Sequence, residues 1–142
     1  METVKNRIKT HEGFRNKVYK DTLGKRTIGY GHLCVEDWWE DDKEYPEAQL
    51  DRIFDKDFDK AKEGASKLYE GCEINDTAKG VIIEMVFQLG TTGVSKFKNM
   101  WKALKETPPN YSVAKIEMLD SRWAKQTPNR AKELSNTMGE II

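Results

Sequence analysis

Two carboxylic acids and a hydroxyl lie close together near the start of this 142-residue chain. Glu12 is followed after eight residues by Asp21, and after five more by Thr27. Cleavage of a glycosidic bond uses such a carboxyl pair, because one group protonates the departing oxygen while the other activates water or attacks the anomeric carbon. A hydroxyl nearby would give an attacking water a second hydrogen-bonding partner. Spacing alone is weak evidence, since 34% of the residues are charged and many acidic pairs occur by chance.

The flanking residues predict the elements that position these groups. Apolar residues four apart predict a helix over residues 1–12, which places Glu12 at its end. Residues 14–34 predict a small antiparallel hairpin or three-stranded sheet with a tight turn at Gly24. Asp21 then lies at a hairpin. The two carboxylates therefore project from two rigid elements that meet around a gap.

Three blocks of the sequence resemble the phage-type lysozymes, the family of the bacteriophage T4 endolysin. HEGFRNKVYKDTLGKRTIGYGH (residues 11–32) is similar to the catalytic region of that family. MVFQLGTTGVSKFKNM (residues 85–100) and SRWAKQTPNRAK (residues 121–132) resemble its helical lobe and occur in the same order. The resemblance implies hydrolysis of the β-1,4 bond between N-acetylmuramic acid and N-acetylglucosamine in peptidoglycan, without a cofactor or a metal.

The same resemblance implies roles for individual residues. Glu12 would be the general acid, Asp21 would orient a water and receive its proton, and Thr27 would hold that water. A hydroxyl that holds water would crowd a direct attack by the carboxylate, which favours inversion of the anomeric centre. Arg130 matches a family arginine that closes the cleft. The residues implied to contact substrate are Gly31, Leu33, Phe87, Met100 and Glu117.

The resemblance also implies an α+β fold that is predominantly helical, with a small β-hairpin lobe and a larger helical lobe joined by a long helix. We expect one lysozyme domain over residues 1–142. Its small lobe would cover about 13–60, and its helical lobe would combine 1–12 with 61–142. The pattern predicts the long helix over residues 46–69, which either tolerates Gly64 or ends near it, with Asn75 or Asp76 capping the next helix. Short helices should follow, interrupted by Gly90, Gly93, Pro108, Pro109 and Pro128.

The chain departs from the family between residues 36 and 46, where an irregular acidic loop replaces a helix. Trp38 and Trp39 lie in this loop, and exposed tryptophans are costly. We expect them to cover the core of the small lobe, and stacking on sugars is the alternative. Phe87 has the spacing of a core residue, and only the resemblance places it at the cleft. Met100 and Glu117 replace polar residues that contact sugars in the family.

The resemblance implies one further pair of residues, and the sequence suggests structural roles for several others. His32 should pair with Asp57, where the family has a carboxylate beside this histidine, and the pairing would raise the pKa of His32. Trp123 and Gln88 should form a structural pair between helices. Four methionines should serve in packing, namely Met85, Met100, Met118 and Met138.

Charge excludes a strong overall attraction to anionic cell walls, because 24 basic residues balance 24 acidic ones. The charges are segregated: residues 36–59 are acidic, whereas residues 96–105 and 122–132 are basic. We favour two solvated faces over an acidic lobe that docks a basic partner. We expect no nucleic-acid partner.

No apolar run approaches the roughly 20 residues that span a bilayer, and no signal peptide is visible. We therefore expect a monomer made in the host cytoplasm, without stable membrane association. It would reach the periplasmic wall after a phage holin permeabilises the membrane. Cys34 and Cys72 are expected to be free thiols.

Two other functional classes fit the same fold. A non-catalytic peptidoglycan-binding module would have no need of Glu12. A lytic transglycosylase would not need a water-seating pair such as Asp21 and Thr27. A lysozyme domain on a phage tail is a variant of the hydrolase interpretation. The intact set of three side chains favours a hydrolase.

Overall fold

One helix and a small sheet form the first part of the computed structural model, which describes the whole chain, Met1–Ile142. The sheet is antiparallel, with strand order β1-β2-β3 and a bulge in β1. The elements are α1 (Glu2–Glu12), β1 (Arg15–Lys20), β2 (Arg26–Gly29) and β3 (His32–Leu33).

The rest of the chain is helical, which confirms the predicted α+β class with helices dominant. No helix or strand lies between β3 and α2, as expected for the acidic loop. The helices are α2 (Glu47–Leu68), α3 (Asp76–Ser95), α4 (Lys98–Leu104), α5 (Tyr111–Leu119), α6 (Arg122–Gln126) and α7 (Pro128–Gly139).

The chain divides into two compact units, Met1–Lys60 and Ala61–Ile142. The first unit includes α1, whereas we expected residues 1–12 to belong to the helical lobe. Within this unit α1 forms ion pairs with α2, from Lys5 to Asp55 (3.6 Å) and from Lys9 to Asp51 (3.9 Å). The assignment of residues 1–12 to the helical lobe therefore stays a prediction.

The acidic loop divides its two tryptophans between the core and the surface. Trp39 is 4% exposed and packs in a core cluster with Ile28, Tyr45 and Leu50. Trp38 is 56% exposed, so the expectation that it covers the core is wrong. Because the loop is irregular, buried and exposed positions do not alternate along it, and the sequence does not predict which tryptophan is buried.

The long helix α2 continues past Gly64 to Leu68. A side chain at Gly64 would overlap the hydroxyl of Thr91 on α3, so glycine permits these two helices to approach closely. At the start of α3, Asn75 accepts a hydrogen bond from Ala78 N (2.9 Å) and is the N-cap. Gly90 interrupts α3 with φ 80° and ψ 161°, as expected for a breaker.

The second unit has its own apolar core. Its predicted packing methionines are all 1% exposed or less, which confirms their assignment: Met85, Met100, Met118 and Met138. Trp123 donates its indole N–H to Gln88 Oε1 at 2.8 Å, so the predicted structural pair also exists.

Candidate active site

Glu12 lies at the end of α1 against the backbone between β2 and β3. The helix stops there because Gly13 takes φ 72°, and its N–H donates to Lys9 O at 2.9 Å. A Cβ at Gly31 would overlap Oε2 of Glu12. Gly31 also has φ 76°, where a side chain is strained. Glycine at this position therefore lets the carboxyl group of Glu12 rest beside the main chain.

Asp21 follows β1 directly and organises the turn into β2. Its Oδ1 accepts from Leu23 N and from Lys25 N, both at 2.9 Å. The main chain closes the same turn, because Gly24 N donates to Asp21 O at 2.9 Å. Both side-chain hydrogen bonds go to Oδ1, so Oδ2 can accept a proton or a hydrogen bond from a ligand. Two backbone donors hold the carboxylate in one orientation.

Thr27 lies on β2 and is only 3% exposed. Its hydroxyl donates to Lys25 O at 2.9 Å, so the oxygen lone pairs can accept a hydrogen bond. Thr27 pairs with Tyr19 across the strands, and Asp21 comes two residues after Tyr19. Asp21 N donates to Lys25 O at 2.9 Å, which continues the strand pairing past the end of β1 and makes Asp21 the diagonal neighbour of Thr27.

Tyr19 reports the electrostatic environment of these groups. Burial raises the pKa of the Tyr19 phenol, and the negative charges of Glu12 and Asp21 raise it further. Arg15 opposes them, with its guanidinium 4.8 Å from the ring centroid. Both carboxylates therefore act on one tyrosine, which itself pairs with Thr27.

His32 forms the predicted pair with Asp57 and has a second carboxylate partner. Its Nδ1 lies 2.7 Å from Asp57 Oδ2, and its Nε2 lies 3.0 Å from Glu36 Oε1. Trp39 donates its indole N–H to the same Glu36 oxygen at 2.7 Å. The network connects β3 to α2 and to the acidic loop. Because His32 follows Gly31, it also holds the backbone on which Glu12 rests.

The network determines the ionisation of His32. The hydrogen bond that His32 donates to Asp57 raises the pKa of His32 from 6.5 to about 9, against the opposing effect of burial, with Glu36 adding to the rise. Burial alone would raise the pKa of Glu36, but hydrogen bonds from Trp39 and His32 outweigh it, and the pKa is lowered. His32 is therefore a cation at neutral pH between two anions.

Six of the eleven acidic residues in the stretch 36–59 have an ionic partner within the first unit. Its ion pairs, beyond the histidine network, connect α1, β2 and α2, which supports a structural face over a docking site for a basic partner. They are Arg26–Asp41 (3.0 Å), Lys43–Glu40 (3.3 Å), Lys5–Asp55 (3.6 Å) and Lys9–Asp51 (3.9 Å).

The residues expected to contact substrate have different environments, and their roles stay predictions. Leu33 on β3 is 43% exposed, whereas Phe87 on α3 is half-buried. Met100 is 1% exposed, and together with Glu117 it lines a cavity of about 520 Å³ in the second unit. Phe97 also lines this cavity.

Arg130 forms a buried ion pair within the second unit. Its Nε donates to Glu84 Oε2 at 3.0 Å, and Glu84 is fully buried. The cleft-closing role of Arg130 stays a prediction. Glu84 was not singled out in the sequence, although a lone acid inside the apolar run Val81–Val86 signals a buried partner.

No group of three or more histidine, cysteine or acidic side chains is arranged to hold a metal ion. None of the helices is both long and apolar enough to cross a membrane. Cys34 and Cys72 are both free, as expected, and burial raises the pKa of each thiol.

A comparison with protein families identifies the chain. The sequence model named phage lysozyme matches residues 9–137. This chain belongs to the phage lysozyme family. It is a lysozyme of glycoside hydrolase family 24, and such enzymes hydrolyse peptidoglycan.

Similar proteins come from an amoeba and from a phage. The chain is 29% identical to "Probable T4-type lysozyme 2" and 29% identical to "Probable T4-type lysozyme 1", both of Dictyostelium discoideum. Each match covers 94% of this chain and 92% of the relative. The chain is also 27% identical to the pre-baseplate central spike protein of Enterobacteria phage T4, over 90% of this chain and 26% of the spike protein.

The contact between Gly31 and Glu12 gives a testable prediction for this lysozyme. Gly31→Ala should lower lytic activity at least about tenfold, because the new Cβ displaces the carboxyl group and a shift of 1 Å can cost about 100-fold. Gly71→Ala is the control, since Gly71 has φ 81° but no atom within 4 Å of its Cβ position. Both variants should lose similar stability in thermal melts. Equal activity of the two folded variants would refute the positioning role.

Proposed function

We propose that this lysozyme cuts the β-1,4 bond between N-acetylmuramic acid and N-acetylglucosamine, with Glu12 as general acid and Asp21 as general base. The observation that supports it most strongly is the placement of the two carboxyl groups in one compact unit, where Glu12 lies against the backbone at Gly31 and two backbone N–H groups hold Asp21. Two carboxyl groups, one against the main chain and one held by backbone N–H groups, can divide the two proton transfers between them.

The attacking water would be held between Asp21 and Thr27. The hydroxyl proton of Thr27 is donated to Lys25 O, so Thr27 Oγ1 would accept one hydrogen from the water. Asp21 Oδ2 would accept the other, since Oδ1 is occupied by the turn. A water that donates both hydrogens directs its lone pair outward, toward the anomeric carbon. Asp21 then receives the proton as the carbon–oxygen bond forms, and Glu12 donates one to the departing sugar oxygen.

This arrangement predicts inversion at the anomeric carbon. A water between the base and the sugar needs carboxyl groups about 6.5–9.5 Å apart, whereas direct attack needs about 5–5.5 Å. The product released first should therefore be the α-anomer from a β-linked substrate. Proton NMR during the first turnovers measures this, before mutarotation mixes the anomers. A β-anomer at early times would show that Asp21 is a nucleophile.

Mass spectrometry of digested peptidoglycan tests the reaction itself. A hydrolase leaves a reducing N-acetylmuramic acid that carries the elements of one water. A lytic transglycosylase leaves a 1,6-anhydro product instead, and a binding module leaves the polymer uncut. Digestion in ¹⁸O-labelled water should place the label on the new reducing end. An anhydro product would overturn the proposal.

We propose that the biological setting is host lysis, with the enzyme made in the cytoplasm and admitted to the wall through a lesion made by a phage holin. The relatives matched over nearly their whole length carry the name lysozyme, which supports a free enzyme. The similarity to part of a spike protein keeps a tail-associated lysozyme as the second candidate. Expression in a bacterial host should cause lysis only when a holin is co-expressed, and Glu12→Gln should abolish that lysis.

A further inference from the structure

A second cavity, of about 470 Å³, lies beside α4 in the second unit. Its charged lining consists of Lys98, Lys102 and Lys105, and no acidic side chain lines it. Leu68 and Trp101 contribute its apolar surface, and the Trp101 indole is fixed by donating to Val94 O at 3.0 Å. The cavity is therefore a concave, cationic surface beside α4.

Lys98 and Lys102 lie on α4 and Lys105 is its C-cap in the helical conformation, so their spacing at i, i+4 and i+7 places all three on one face. At 1.5 Å per residue, they cover about 10 Å of the helix axis. All three are exposed, and none of them forms an ion pair. Several acidic residues of the first unit form ion pairs within that unit, whereas these positive charges are left for solvent or a ligand. A protein of zero net charge thus carries a concentrated positive site.

The shape of the cavity selects among anionic partners. Trp101 is only 6% exposed, so the lining offers no aromatic face on which nucleic-acid bases could stack. Leu68 is half-buried and Trp101 recessed, so no apolar side chain of the lining protrudes as insertion into a lipid surface requires. A thin, flexible polymer with repeated negative charges fits a concave row of ammonium groups, which bind phosphates as point charges.

We propose that the cavity lined by Lys98, Lys102 and Lys105 binds a phosphodiester polymer of the bacterial cell envelope. Its role in catalysis rests on the proposed function, since the polymer would hold the lysozyme near its substrate. Local attraction at this site would replace the overall positive charge that the chain lacks. Binding itself requires no hydrolysis.

Titration with poly(glycerol phosphate) tests the proposal, in Glu12→Gln protein so that hydrolysis plays no part. The triple variant Lys98→Gln, Lys102→Gln, Lys105→Gln should bind at least about tenfold more weakly, because each exposed charge pair contributes up to about fivefold. The indole N–H signal of Trp101 should shift during titration of the parent protein. Binding should weaken as salt is raised, since the charges are exposed.

The matched control is Lys56→Gln, Lys60→Gln, Lys62→Gln, which removes the same charge from exposed helical lysines without ion pairs. It should change the affinity by less than about twofold. If both triple variants lost the same affinity, the effect would come from net charge alone and the proposal would be overturned. Unchanged binding of the cavity variant would do the same. The single variant Lys102→Gln should have an intermediate affinity. It provides a test that still holds if the triple variant misfolds.

Three alternative ligands complete the test. Polyglutamate, a short DNA duplex and vesicles with anionic lipid should each bind more weakly than poly(glycerol phosphate). Tighter binding of any one would assign the cavity to that ligand instead. With active protein, the cavity variant should clear phosphate-polymer-bearing walls more slowly than the parent at low salt, and stripped walls equally fast. A parent protein that binds the polymer but hydrolyses nothing would refute the proposed function and leave this inference intact.

Discussion

Replacing Glu12 with Gln is expected to reduce lytic activity by about 10²–10⁴-fold. The amide keeps the shape of the carboxyl group beside Gly31 but has no proton to transfer. Stability should be unchanged or higher, because catalytic groups are often held against the interest of the fold. Turbidity clearing of permeabilised cells measures the first effect, and thermal melts measure the second.

Glu2→Gln is the control for this change. Glu2 is an exposed acid in the first turn of the same helix, and its variant should clear cells at the parental rate. An aryl glycoside with a nitrophenolate leaving group needs no proton, so Glu12→Gln should retain much more of its activity on that substrate. A folded Glu12→Gln protein that clears cells as fast as the parent would exclude Glu12 as the acid.

The stability of the protein should depend on pH through His32. Its folded pKa of about 9 exceeds the unfolded value of 6.5, which corresponds to about 3 kcal/mol of stabilisation. A raised pKa means that this contribution is complete below pH 6.5 and is lost as pH rises through 9. Glu36 behaves oppositely, since its lowered pKa gives a contribution that is lost as pH falls below 4.5.

NMR titration of the His32 ring gives the pKa directly, and denaturant unfolding between pH 6 and 10 gives the stability. Asp57→Asn should lower the pKa of His32 more than Glu36→Gln does, because the Asp57 hydrogen bond is the largest cause of the shift. His32→Gln should remove most of the loss of stability between pH 6.5 and 9. A His32 pKa at or below 6.5 in the parent protein would exclude the charged network.

The short-range sequence pattern predicts the helix and the strands that carry the candidate site. Helix α1, the small sheet and the cap at Asn75 follow from interactions between residues a few positions apart, and such interactions are visible as spacing. The family could be identified for the same reason, because the set from Glu12 to Thr27 lies in one short stretch. The pairing of His32 with Asp57 required the resemblance, since 25 residues separate them.

Only the tertiary structure decided which side chains meet across elements. Glu36 contacts His32 and Trp39 because the acidic loop folds back on β3. An irregular loop has no repeating pattern of apolar residues, so its sequence does not predict these contacts. Arg130 meets Glu84, 46 residues away, because α7 presents it to a buried acid on α3. In the same loop Trp38 is exposed and Trp39 is buried, although the two are adjacent in sequence. Sequence spacing encodes which face of an element is apolar, but the partner of each face is chosen by packing, which depends on the whole chain.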